Sequence, residues 1–335
     1  MKNKLLHGTA AVSVSLAIVA FISPIMIANM SAYAQENNAP VDTRSAVVDA
    51  NWSDNVTITI DDEAKTFRFQ SDGIPSHGFA EKYLIPNDPN DQPFSDKPAS
   101  AFTIVDSTDF KAGEVDATIT TQPNYVEMVT DTSLGRIGVA LSGAQLYNDY
   151  ENLERTIVAK DDQVIHDHVA FLDDCNGHTL ADGTSYHYHG IPLCITAELD
   201  KADSHSFMLG VLEDGFPVYG NFGLAGEIVT NADLDECSGH IEPTPEFPEG
   251  IYHYHLTDDE APYMIDCFHG EVDPASLPTG GPPDFSAIAE TLGVSVDALT
   301  LALGSSRTPD YDAAAQTLGI SVEKLRSAIP ERPPQ

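Results

Sequence analysis

The feature that most constrains the fold is an internal duplication, in which four short signals occur twice in the same order. The tetrapeptide Tyr-His-Tyr-His stands at 186–189 and again at 252–255. The other repeated signals are a Gly-Val segment, a Cys-x-Gly-His turn and a later cysteine, at 138–147, 175–178 and 194, then at 210–219, 237–240 and 267. Two copies are too few for a solenoid. The pattern therefore predicts two similar half-domains, about 137–194 and 209–267, related by a pseudo-twofold axis.

Alternation of polar and apolar residues gives the fold class. It predicts strands at 56–60, 66–70, 102–105, 117–121, 125–129 and 137–141. Residues 71–97 are rich in Pro, Asn and Asp and are expected to form loop, and no amphipathic helix is evident before residue 280. We therefore expect a mainly β fold, with a duplicated, sandwich-like domain and long loops over 55–271.

The C-terminal part has a different composition and its own repeat. Residues 272–282 form a Pro/Gly linker, and the segment that begins at Pro283 returns 26 residues later. Each unit predicts two short helices, because Pro-Asp begins the first, Gly ends it and Ser295 or Ser321 caps the second. We expect a helical repeat pair over 283–330, suited to packing or to a protein contact.

The N-terminus has the pattern of a signal peptide. Two lysines precede an apolar run from about Thr9 to Met30, and Ala32-Tyr33-Ala34 offers the small-x-small site of signal peptidase. We expect residues 1–34 to be removed, residues 35–54 to form a flexible leader and the protein to be secreted or extracytoplasmic. The apolar run is also long enough to span a bilayer, so an N-terminal membrane anchor is the alternative.

The charge balance excludes two classes of partner. The 335 residues include 16 Lys+Arg against 52 Asp+Glu, a formal net charge of −36. Nucleic-acid binding needs a basic face that displaces counterions from phosphates, and a chain with so few basic residues is not expected to form one. An anionic membrane surface is disfavoured for the same reason.

Six histidines of the duplicated motif are the candidate metal ligands. In a strand the histidines of Tyr-His-Tyr-His share one face and the tyrosines the other, with about 6.6 Å between Cα atoms two residues apart. Both imidazoles can then reach one ion, together with the histidine of the Gly-His turn. The predicted ligands are His178, His187, His189, His240, His253 and His255. Neutral imidazoles suit copper or zinc.

Further residues near the motif have weaker assignments. His166 and His168 are accessory ligand candidates, and Asp173 and Asp235 are candidate acceptors for the outer ring N–H of a ligand. Four other histidines are interpreted as structural: His7, His77, His205 and His269. An acidic loop, Asn87 to Asp91 with Asp96, offers hard oxygen ligands for calcium, although it matches no defined calcium loop.

The four cysteines have two interpretations. In an exported protein we expect two disulfides, Cys175–Cys194 and Cys237–Cys267, one in each repeat. The alternative is thiolate ligation, in which Cys175 or Cys237 joins the histidines of its own repeat around zinc. That alternative leaves the later cysteine of each repeat without a role.

The same residues resemble a known family of exported proteins. The resemblance rests on Cys-Asn-Gly-His with Tyr-His-Tyr-His at 175–189, on Leu-Glu-Asp-Gly-Phe-Pro-Val-Tyr-Gly at 212–220, and on the second copy through 270. These motifs are similar to those of the YHYH-domain family, named for the tetrapeptide. The segment 72–77 is similar to one that precedes the domain in relatives, which gives His77 some standing as a site residue. The resemblance implies no established biochemical role.

We therefore expect an exported protein that binds a transition metal through duplicated His-x-His strands. A metal-dependent hydrolase or oxidoreductase is one alternative. A surface or matrix interaction protein, in which histidine and tyrosine are only structural, is the other. No general base can be identified beside the histidines, which favours binding over catalysis.

Overall fold

An eight-stranded sheet carries both occurrences of the repeated motif. The computed structural model describes residues 40–88, 90, 94, 97–152, 155–162, 165–166, 169–272, 277, 289, 291–295, 298–299, 302 and 311–328. The described strands are β1 Thr57–Asp61, β2 Thr66–Ser71, β3 Lys82–Pro86, β4 Phe102–Asp106, β5 Val115–Thr120, β6 Tyr125–Asp131, β7 Arg136–Ala140, β8 Gln145–Tyr147, β9 Ile165–His166, β10 Val169–Ala170, β11 Gly177–His178, β12 His187–Tyr188, β13 Met208–Leu212, β14 Pro217–Tyr219, β15 Gly239–Glu242, β16 Ile251–His255 and β17 Cys267–Gly270. The described helices are α1 Arg44–Asp49, α2 Leu193–Leu199, α3 Tyr311–Leu318 and α4 Val322–Ala328. The protein is mainly β, as the alternation predicts.

The large sheet has the strand order β11-β12-β8-β7-β13-β14-β16-β15. Its first four strands come from residues 136–188 and its last four from residues 208–255. The β8–β12 and β14–β16 pairs are parallel, and the other neighbours are antiparallel. Both halves therefore have the same pattern when counted outward from the central β7–β13 pair. The first two strands of each half are antiparallel, the second and third are parallel, and the third and fourth are antiparallel.

The central pair depends on a close approach of two glycines. Gly210 lies opposite Ala140, and Gly138 lies opposite Leu212. A Cβ atom on Gly138 would lie 2.7 Å from the carbonyl oxygen of Val211, and one on Gly210 would collide with the carbonyl of Val139. Glycine is therefore required at both positions where the two halves of the sheet meet.

Smaller sheets complete the layers. The three-stranded sheet β1-β2-β5 packs on the large sheet through one core cluster, in which Phe67 and Phe69 join Val139 and Val211. The main cluster on the other side includes Tyr83 of the four-stranded sheet β4-β3-β10-β9 and the four tyrosines of the repeated motif. A two-stranded sheet, β17-β6, joins the end of the second repeat to the strand before the first.

Three parts of the chain differ from their predictions. The residues from 40 to 54 are not a free leader, because Val47 of α1 is fully buried and the amide of Thr43 donates to the carbonyl of Thr121. Strand β3 lies within the predicted loop, and helices α1 and α2 precede residue 280. β3 is defined by pairing with β4 and β10, which are distant in the chain, so its local pattern gave too little signal.

The C-terminal part is described only in pieces. Helices α3 and α4 form a small core with the described residues of the preceding segment, and Leu292, Leu299 and Leu325 lie in it. The Ser295 and Ser321 hydroxyls accept from the amides three residues later, as predicted for helix caps. Because 272–282 and 283–310 are mostly outside the described residues, the linker and the repeat pair stay predictions. Residues 1–39, with the signal peptide, lie outside them too.

Within the described part of the chain, no helix combines the length and the hydropathy needed to cross a bilayer.

Candidate metal centres

Strands β12 and β16 separate the histidines of the motif from its tyrosines. Tyr186, Tyr188, Tyr252 and Tyr254 all lie in the main hydrophobic core. The histidines at 187, 189, 253 and 255 are at most 1 % exposed and lie in two separate groups. Successive side chains of a strand point to opposite faces, so packing of the tyrosines fixes the direction of the imidazoles.

The second cluster consists of His205, His240, His253 and His255. Nε2 of His253 is its centre: it lies 3.1 Å from Nε2 of His240, 3.1 Å from Nε2 of His255 and 3.3 Å from Nε2 of His205. A tetrahedral ion with metal–nitrogen distances of about 2.0–2.1 Å separates its ligand nitrogens by about 3.3–3.4 Å. These three distances are therefore close to those between the ligand nitrogens of a four-coordinate metal centre, and all four nitrogens lie within 4.8 Å of one another.

In three of the four histidines of this cluster, the other ring nitrogen faces a backbone carbonyl. Nδ1 of His253 lies 2.9 Å from the carbonyl of Ile251, and Nδ1 of His255 lies 2.5 Å from that of Gly220. Nδ1 of His205 lies 2.7 Å from the carbonyl of Ser206. A carbonyl only accepts hydrogen bonds, so each Nδ1 carries the proton and donates, and each neutral ring presents a bare Nε2 lone pair. This arrangement is typical of histidines that bind a metal through Nε2.

The first cluster consists of Glu151, His178, His187 and His189. The three imidazole rings have centroids 4.6–5.1 Å apart. Oε1 of Glu151 lies 3.1 Å from Nε2 of His189 and 3.4 Å from Nε2 of His178. The ligand atoms of all four side chains lie within 4.8 Å of one another, so they too can surround one ion.

The outer hydrogen bonds of the first cluster match those of the second. Nδ1 of His187 donates to the carbonyl two residues earlier, that of Ser185, at 2.7 Å. Nδ1 of His189 donates to the carbonyl of Asn148, which directly follows β8, at 2.6 Å. In the second cluster, Nδ1 of His253 donates to the carbonyl two residues earlier, that of Ile251, and Nδ1 of His255 donates to that of Gly220, which directly follows β14.

Burial decides the protonation of the imidazoles. Burial, with the nearby histidines adding to it, lowers the pKa of His187, His253 and His255 well below the ordinary value. Burial also lowers the pKa of His240 to about 4. These imidazoles are therefore neutral at pH 7 and available as ligands.

Glu151 introduces a charge into the first cluster. Burial alone would raise its pKa, but hydrogen bonds and charges from His178 and His189 outweigh burial and hold the pKa well below its usual range. The Glu151 side chain is only 3 % exposed. The first cluster thus contains a buried carboxylate, whereas the second is made of imidazoles alone.

The structure brings all six histidines that the sequence predicts as ligands into the two clusters and adds one further candidate side chain to each. The sequence indicates a structural role for His205, yet this residue lies in the second cluster. Glu151 was not singled out among the 52 acidic residues of the chain. His205 precedes β13 and Glu151 follows β8, so neither belongs to a repeated signal.

The predicted accessory aspartates have other partners. Asp173 accepts from the hydroxyls of Tyr83 and Tyr186 at 2.5 and 2.9 Å, and Asp235 accepts from that of Tyr252 at 3.0 Å. Each also accepts from the backbone of its own Gly-His turn. They lie on the tyrosine side of their strands, which explains why they orient the turns and not the ligand rings.

Other candidates lie partly outside the described residues. His166 ends β9 but its side chain is not described, and His168 is outside the described residues, as are Asp91 and Asp96 of the acidic loop. His77 accepts from or donates to the Tyr188 hydroxyl at 2.5 Å. His269 donates from Nδ1 to the carbonyl of Val126 at 2.8 Å.

The cysteines form the two predicted disulfides. Cys175 is bonded to Cys194, and Cys237 is bonded to Cys267. Thiolate ligation is therefore wrong, because each sulfur is already bonded to another sulfur. Each bridge anchors the turn that leads to His178 in the first cluster or to His240 in the second.

Comparison with known proteins gives the family. The model of the YHYH protein family matches residues 116–230 and 225–270. The comparisons with curated proteins and with solved structures found no match. The matched span contains both clusters and both disulfides. Through residues 116–270, the chain therefore belongs to the YHYH family.

Proposed function

We propose that the protein is an exported metal-binding protein that holds two transition metal ions, one in each cluster, with copper and zinc as the first candidates. The observation that carries this proposal is the second cluster. Its Nε2 atoms lie 3.1–3.3 Å from that of His253, while Nδ1 of His205, His253 and His255 faces a carbonyl.

A cation explains this geometry better than hydrogen bonding does. Two bare Nε2 atoms repel each other, and a single proton can bridge only one pair of them. His253 has three Nε2 neighbours, and two of them, His205 and His255, carry their proton on Nδ1, so a proton on Nε2 of His240 would still leave two contacts unfavourable. Imidazole nitrogen is a preferred ligand of copper and zinc, and one ion at the centre would satisfy all four lone pairs.

Burial favours binding over catalysis. The imidazoles of His178, His187, His189, His253 and His255 are at most 1 % exposed, and that of His205 is 3 % exposed. A catalytic metal needs a position that a substrate can reach, and among the seven imidazoles of the two clusters only that of His240 is partly exposed. The net charge of −36 also raises the local concentration of cations around the protein.

The proposed export rests on the N-terminal pattern together with the two disulfides. Disulfides persist in oxidising compartments, and the N-terminal sequence is typical of a signal peptide. We also infer that the two halves of the domain arose by duplication, supported by the shared motifs and by the matching order of strands. The helical tail is proposed to make a protein contact.

Elemental analysis of the purified protein tests the proposal. We expect two transition metal ions per chain after loading and removal of unbound metal. His187→Ala and His253→Ala should each remove one ion, and the double variant should remove both. His77→Ala is the control, because Nε2 of His77 bonds to a tyrosine hydroxyl outside both clusters. Metal well below one ion per chain after loading would overturn the proposal.

A further inference from the structure

The two clusters share three imidazoles and differ in their fourth side chain. His187 and His253 occupy equivalent positions, as do His189 and His255, down to the carbonyl that each Nδ1 contacts. The fourth member is Glu151 in the first cluster and His205 in the second.

The fourth side chains come from different parts of the half-domains. Glu151 lies four residues after the end of β8, whereas His205 lies three residues before the start of β13. The difference is therefore more than one substitution at a shared position. Each half reaches its cluster with a separate loop, and each loop delivers a different donor atom.

The donor atoms decide which metals bind well. A carboxylate oxygen is a hard, charged ligand that suits Mn²⁺, whereas imidazole suits copper, zinc, iron and nickel. Both clusters are buried, and attraction between a carboxylate and a divalent ion is stronger in a buried site than in water. Because the carboxylate is negatively charged and imidazole is neutral, a divalent ion together with its ligands would have a net charge of about +1 in the first cluster and about +2 in the second.

We propose that Glu151 and His205 give the two centres different metal preferences. The first centre accepts a harder divalent ion such as Mn²⁺, and the second discriminates against such ions in favour of copper. This inference rests on the proposed function, since it requires that both clusters hold metal.

A competition experiment tests the preference. The protein is freed of metal in denaturant with its disulfides intact and refolded with one equivalent of Cu²⁺ and an excess of Mn²⁺, and unbound metal is then removed. We expect one copper and one manganese per chain by elemental analysis. The electron paramagnetic resonance spectrum of the bound Cu²⁺ should show four nitrogen ligands, as expected for the second centre.

Two variants assign the preference to residues. Glu151→Gln should weaken Mn²⁺ binding by about 100-fold, because even the loss of a partner outside the ligand shell costs about 10- to 100-fold in affinity. His205→Glu should create a second Mn²⁺ site. Glu246→Gln is the matched control: it removes a carboxylate that bonds to Tyr219 beside the second cluster but contacts no ring nitrogen there. Circular dichroism verifies that each variant is folded.

The outcomes separate this inference from the proposed function. Copper divided equally between the centres, or Mn²⁺ binding unchanged by Glu151→Gln, would overturn the preference and leave metal binding intact. Absence of any metal at both centres would overturn the proposed function, and the preference with it.

Discussion

Removal of the Cys237–Cys267 bridge should destabilise the protein by an amount set by the length of the loop it closes. The two cysteines are 30 residues apart in the chain, and the other pair is 19 apart. In the chain-entropy model these loops correspond to about 3.6 and 3.2 kcal/mol of stabilisation at 25 °C. The loop length enters as a logarithm, so the two bridges should contribute almost equally.

Urea unfolding of paired Cys→Ala variants measures this effect. Cys237 is fully buried and Cys267 is 6 % exposed, and alanine fits the space of either without adding a polar group. We expect each double variant to lose about 3–4 kcal/mol of unfolding free energy, which lowers the melting temperature by about 6–16 °C in a domain of this size.

The comparison between the two bridges makes the reasoning refutable. A loss below about 1 kcal/mol for either pair, or a difference above about 2 kcal/mol between the pairs, would show that loop closure does not set the stabilisation. Single Cys→Ala variants are unsuitable as controls, because each leaves a free thiol. The double variants of Cys175–Cys194 and of Cys237–Cys267 therefore serve as controls for each other.

The remaining predictions concern pH, packing and a buried hydrogen bond. Burial lowers the pKa of His240 to about 4, so the unfolded chain binds more protons than the metal-free folded chain between pH 6.5 and 4. The free energy of unfolding should therefore fall by up to about 3 kcal/mol as the pH is lowered from 6.5 to 4. Urea unfolding at several pH values measures this, and an unfolding free energy that does not change with pH would contradict it. Gly210→Ala should cost more than about 3 kcal/mol in the same assay, because its Cβ collides with the Val139 carbonyl, whereas Gly78→Ala, with no neighbour within 4 Å, should cost less. Tyr254→Phe removes a 2.6 Å hydrogen bond to buried Asp214 and should cost about 1–3 kcal/mol by thermal melting; an unchanged melting temperature would argue against that bond.

Much of each cluster could be predicted because the strand period carries the information. Alternation of Tyr and His places both histidines of a motif on one face, and the repeated Gly-His turn supplies the third ring. The cysteine pairs followed from their order within each repeat. These signals are local or duplicated, so one sequence is enough to find them.

The fourth side chain of each cluster could not be predicted, because its position depends on contacts between distant parts of the chain. His205 is 48 residues before His253 and has no counterpart in the first repeat. Glu151 is one of 52 acidic residues, and only the fold distinguishes it from those on the surface. Strand β3 was missed for a related reason, since its partners β4 and β10 are distant in the sequence.

If the clusters hold metal as proposed, their burial affects the rate at which the metal enters and leaves. In the second cluster His240 is partly exposed. In the first cluster all three imidazoles are at most 1 % exposed, so an ion or a chelator can reach Nε2 of His187 only when the surrounding loops open. The exchange rate is then limited by local unfolding and not by the strength of the metal–nitrogen bonds. We expect loading to be fast during folding and slow afterwards, so the ion present when the chain folds is the one it keeps.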